Sequence, residues 1–127
     1  MENQFVPYEF AVKLKELGFD EECLAVYKRD GSELATLDYI DYENLKGCSN
    51  SCLVGYWYNV SAPLWQQAFD WFREKHERHI ETMKDKGGRY YIFDGDNYIR
   101  EKGRIMFFNT YEQARYACLE KLIELSK

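Results

Sequence analysis

Proline and glycine are scarce in this chain, 2 and 8 of 127 residues, which excludes a fibrous or low-complexity protein. Apolar runs last only a few residues, far short of the ~20 that a membrane-spanning helix needs. The opening Met1-Glu2-Asn3-Gln4 has neither the basic nor the apolar region of a secretory leader, so the expected compartment is the cytoplasm. By that expectation Asn59-Val60-Ser61 matches the glycosylation sequon by chance. An excess of basic charge is missing too. Lys and Arg number 17 against 22 Asp and Glu, a net charge of −5, so general nucleic-acid binding, which needs clustered cations on phosphates, is not expected. Residues 1–60 carry 5 basic against 11 acidic side chains, and residues 61–127 carry 12 against 11. What basic character exists therefore lies in the second half, interleaved with acids as on an ordinary solvated face.

Catalytic and cofactor patterns are equally thin. Gly87-Gly88 precedes an expected strand rather than a helix and is no phosphate loop. Asp94-Gly95-Asp96-Asn97 begins like a calcium loop, but Ile99 and Ile105 occupy the places that need glycine and a bidentate glutamate. Cys48 and Cys52 form a C-x3-C pair, and His76 and His79 offer two imidazoles. Four such ligands suit zinc in principle, yet the spacing departs from C-x2-C and His76 falls on an apolar helix face. No metal, no cofactor and no disulfide is expected, and Cys23 and Cys118 sit in apolar patterns as small buried hydrophobes.

Aromatic residues are what the chain has in excess: 11 Tyr, 8 Phe and 3 Trp, or 17%. Their spacing, with the turn signals, predicts one α+β domain over residues 1–127. A first helix over 7–17 follows from Pro7 and the stripe Phe10, Ala11, Leu14, Leu17, closed by Gly18 with Phe19 folding back. Cys23–Lys28 and Glu33–Tyr39 flank Asp30-Gly31 as a hairpin. After a polar loop, residues 52–58 read as extended, and Ser61 as the N-cap of a second helix over 61–84. Leu64, Ala68, Trp71 and Phe72 mark that helix's buried face, widened by Trp65 and Phe69. Arg89–Phe93, Tyr98–Glu101 and Arg104–Phe108 then read as strands. Thr110 with Gln113 forms a capping box that opens a third helix over 110–126, whose face is Ala114, Cys118, Leu122 and Leu125. The expected order is α-ββ-α-ββ(β)-α, with an antiparallel sheet of four to five strands packed against three helices. Phe10, Phe69, Phe72, Phe93 and Phe107 are expected in the core.

Three stretches carry a resemblance. Phe5-Val6-Pro7-Tyr8-Glu9 with Leu17-Gly18-Phe19-Asp20, the run Ser61-Ala62-Pro63-Leu64-Trp65-Gln66-Gln67-Ala68-Phe69-Asp70-Trp71-Phe72-Arg73, and Tyr111-Glu112-Gln113-Ala114-Arg115 with Lys121–Leu125 resemble a family of small proteins encoded by phages and prophages of Bacteroidetes. The resemblance implies a genomic setting and a host-cell cytoplasmic location. It implies no reaction and no functional residue.

The working surface is therefore sought among rings that a core does not easily absorb. Tyr56, Trp57, Tyr58 and Trp65 flank the second helix, and Tyr90, Tyr91 and Tyr98 lie near Arg89, Arg100 and Arg104. Tyr and Trp outside a core commonly build binding surfaces, and rings beside Arg can stack a planar ligand. The leading expectation is a non-catalytic binding protein contacting a host protein through Tyr56, Trp57, Tyr58, Trp65, Arg89 or Arg100. A sequesterer of a small nucleotide-like ligand in an aromatic and Arg-lined pocket is the alternative. A small metal protein or enzyme using Cys and His is a third.

Overall fold

The computed structural model describes residues 4–36, 49–50 and 57–127. Residues 1–68 and 69–127 form two compact units, with the boundary inside one helix. The class is α+β: the described residues hold three helices, with antiparallel sheets of three, two and two strands.

In the first unit, α1 spans Tyr8–Glu16 and buries Phe10, Ala11 and Leu14. Pro7 holds the N-cap position in extended conformation rather than the first helical one, and Glu9 lies in the first turn. Gly18 closes the helix at φ 98°, and the Phe19 N–H donates to the Leu14 carbonyl at 2.9 Å. Only glycine takes that backbone region without steric cost, which is why the stop is legible from sequence. Strands β1 (Ala25–Lys28), β2 (Leu34–Thr36) and β3 (Tyr58–Ser61) form an antiparallel sheet in the order β2-β1-β3. Val26 lies opposite Ala35 on one side and Ser61 on the other. The Asp30-Gly31 turn joins β1 to β2, with Gly31 at φ 79° and the Asp30 carboxylate accepting from the Ser32 N–H at 2.9 Å.

Helix α2 (Trp65–Lys75) departs from expectation at both ends. Ser61 does not cap it. That residue ends β3, its N–H donates to the Asn50 side-chain carbonyl at 3.0 Å, and the helix begins four residues later. The Tyr58–Ser61 stretch earns its strand from β1, a partner distant in sequence. At the other end the helix stops at Lys75, because Glu77 adopts φ 54° and the Arg78 N–H turns back to the Phe72 carbonyl at 3.2 Å.

In the second unit the residues expected to continue that helix form β4 (Glu81–Lys84), which pairs antiparallel with β5 (Tyr90–Phe93) in the register Thr82 to Ile92 and Met83 to Tyr91. Strands β6 (Arg100–Glu101) and β7 (Arg104–Ile105) form a separate two-stranded hairpin. Among the described residues, three smaller sheets thus stand where a single sheet of four to five strands is expected. Helix α3 (Tyr111–Leu125) starts at Thr110, whose hydroxyl accepts from the Gln113 N–H at 3.2 Å. It buries Ala114, Cys118, Leu119, Leu122 and Ile123, and packs on β4 and β5. Leu125 is exposed rather than buried, and so is Phe107, while Phe69 and Phe93 are half-buried.

Candidate functional site

Tyr56, Cys48 and Cys52 lie outside the described residues. Trp57 is 58% exposed, the most exposed of the large apolar side chains among the described residues. Its backbone is tied to the sheet: the Trp57 carbonyl accepts the Arg29 N–H at 2.9 Å, and the next residue enters β3 opposite Lys28. Tyr58 is half-buried, with the Lys28 ammonium 5.9 Å from its ring centroid. Burial, and then the Glu33 carboxylate beside it, push the Tyr58 phenol above its ordinary range. Lys28 in turn pairs with Glu33 at 3.3 Å. Around Trp57 the structure therefore places Lys28, Arg29 and Tyr58, a ring on a strand edge with mixed charge beside it.

Trp65 does not join this surface. It is only 8% exposed and meets Phe10 edge-on at 6.3 Å between centroids. In the first turn of α2 its ring faces the apolar interior of the first unit, so this part of the widened stripe is core.

Arg89 and Arg100 belong to the second unit and do different things. The Arg89 guanidinium lies 3.9 Å from the Phe107 ring centroid, and one of its nitrogens is 3.3 Å from the Asp85 carboxylate. Phe107 approaches Tyr91 at 6.4 Å, and Tyr91 approaches Tyr98 at 5.1 Å. Arg89 thus ends a row of rings on β5 and its flanks. Arg100 instead donates to the Gly103 carbonyl at 3.4 Å across the β6–β7 turn. It lines a recess of about 310 Å³ with Ile92, Lys102, Met106, Glu120 and Lys121 among others, none of them aromatic. Phe107 and Met83 were missed as surface residues. Apolar strand neighbours place Phe107 in the core by sequence, and helical spacing places Met83 within the second helix.

His76 packs against Trp71 and Phe72, at 4.7 and 5.6 Å between ring centroids, while His79 lies 3.6 Å from the Glu81 carboxylate. Among the described residues no three His, Cys, Asp or Glu side chains meet as metal ligands would. Cys118 is buried, its thiol donates to the Ile80 carbonyl at 3.2 Å, and burial pushes its pKa up to about 12. A thiol held so far from ionisation is a poor nucleophile. Among the described residues no helix is long and apolar enough to cross a membrane.

No protein-family model matches this chain, and neither a curated protein nor a solved structure matches it. The class the fold defines is a two-unit α+β protein.

Proposed function

We propose that this chain is a non-catalytic binding protein, acting in the cytoplasm of a phage-infected or lysogenic bacterial cell, that contacts a host protein through the strand edge bearing Trp57. The exposure of Trp57 is the observation that carries this reading. Leaving an indole in water forgoes on the order of 2 kcal/mol of burial, and Trp is among the side chains that most often anchor a protein interface. Arg29, bonded to the Trp57 carbonyl, and Lys28, opposite the next residue, supply polar neighbours. The likeness to phage and prophage proteins supplies the setting.

The sequesterer reading has less support, since the recess that holds Arg100 has no ring to stack a base and Arg89 already covers Phe107. The test is affinity purification from infected or lysogenic cells with wild-type chain and with Trp57→Ala. The expected result is a host protein recovered by the wild type and lost by the variant, with the melting temperature unchanged within about 2 °C because the ring packs on little. Equal recovery by both chains would overturn the assignment of this surface.

A further inference from the structure

The β6–β7 hairpin holds a residue that its turn does not favour. Lys102 and Gly103 join the two strands as a two-residue loop, at φ 53° and 79°. A hairpin turn with positive φ at both central positions prefers Asn-Gly, because asparagine tolerates the left-handed region better than a long side chain does. Among the described residues the Lys102 ammonium forms no ion pair or hydrogen bond that would offset this cost. Backbone cost of this kind gathers where a side chain is needed for something other than stability.

Lys102 lines the recess of about 310 Å³ that lies between the hairpin and α3, wholly within the second unit. The floor is aliphatic: Ile92, which is buried, with Met106 and Ala117. The hairpin wall carries Arg100, Glu101 and Lys102, two cations against one anion. The helix wall carries Glu120, Lys121 and Glu124 on one face of α3, two anions against one cation. Lys121 pairs with Glu124 at 3.7 Å on its own wall, and one Arg100 nitrogen donates to the Gly103 carbonyl at 3.4 Å. Among the described residues no ion pair crosses from one wall to the other. A net positive wall and a net negative wall thus flank an aliphatic floor without neutralising each other.

We propose that this recess binds a free α-amino acid with an aliphatic side chain. Its carboxylate takes Arg100 and Lys102, its ammonium takes Glu120, and its side chain lies on Ile92, Met106 and Ala117. A simple anion would be repelled by Glu101 and Glu120, and a simple cation by Arg100 and Lys102. Only a molecule carrying both charges suits both walls. No ring lines the recess, so a flat ligand gains no stacking there. The volume is at the small end for ligand sites, and the charged groups are mostly exposed, so the affinity is modest, with a Kd on the order of 0.1–1 mM.

Calorimetric titration of the full chain with L-leucine, up to about 10 mM, covers that affinity range. One site is expected, weaker as salt rises. N-acetyl-L-leucine lacks the ammonium and L-leucinamide lacks the carboxylate, and each should bind at least about tenfold more weakly. Lys102→Asn should weaken L-leucine at least about fivefold while raising the melting temperature by about 2–4 °C, because asparagine suits the turn. Glu120→Gln should weaken it by a similar factor with the melting temperature unchanged within about 2 °C. Weaker binding by a chain that is no less stable separates recognition from a structural role. A wild type that binds no L-leucine over this range would overturn the proposal, as would equal binding of the acetylated or the amidated form. A Lys102→Asn chain that binds normally or melts below the wild type would do the same, and so would a Glu120→Gln chain that binds normally.

Discussion

At the scale of single residues, one buried amide ties together separate segments of the first unit. Asn50 is buried and joins two segments: its amide donates to the Phe19 carbonyl at 2.7 Å, and its carbonyl accepts from the Ser61 N–H. Removing it strands two buried backbone groups, so Asn50→Ala should cost about 2–4 kcal/mol in chemical denaturation. Gly31 is constrained from outside, since a Cβ there would stand 2.6 Å from the Tyr8 ring, on backbone at φ 79°. Tyr8 is itself held by its hydroxyl donating to the Arg29 carbonyl at 2.7 Å. Gly31→Ala should therefore destabilise by about 1–3 kcal/mol and loosen Tyr8. Asp94 ties stability to pH. The N–H groups of Asn97 and Asp96 hold its carboxyl below the usual carboxylate range. A folded pKa below the unfolded one gives stability that is present above the unfolded value, near 4, and lost as pH falls through the lower folded value. Thermal melts in that acid range should show Asp94→Asn losing less between neutral and acid pH than the wild type.

At the scale of elements, α2 shows how a helix is ended by backbone rather than by composition. Its residues after Lys75 include good helix formers, yet Glu77 in the left-handed region turns the chain away. A side chain pays a steric cost there that glycine does not. Glu77→Gly should raise stability by about 0.5–1 kcal/mol, read as a melting temperature a few degrees higher. Trp71 and Phe72, both buried, are the opposite case. Truncation of either to Ala should cost roughly 3–5 kcal/mol, and a loss below about 1 kcal/mol would contradict their burial. β4 owes its existence to β5 more than to its own sequence. Glu81-Thr82-Met83-Lys84 has one β-branched residue, and its hydrogen-bonding partner lies across the 85–89 turn. An edge with charged ends also discourages further strand pairing.

For the whole molecule, the amino-acid sequence alone determined whatever depends on neighbours within about a turn. The Gly18 stop of α1, the Thr110–Gln113 start of α3, the Asp30-Gly31 turn and the mixed α+β class were all legible because capping and periodicity are local. The net charge of −5 was legible too, and it predicts no gel shift with random duplex DNA at physiological salt. Tertiary structure decided the rest. A left-handed turn at Glu77 ended the second helix at Lys75, and strand pairing made β4 of its expected tail and, among the described residues, divided the expected sheet into three. Burial of individual rings was decided the same way: Trp65 lies inward against Phe10, while Trp57 and Phe107 stay partly exposed. The physical reason is that a pleated strand offers two equivalent faces, and sequence spacing cannot say which of them a distant helix will cover.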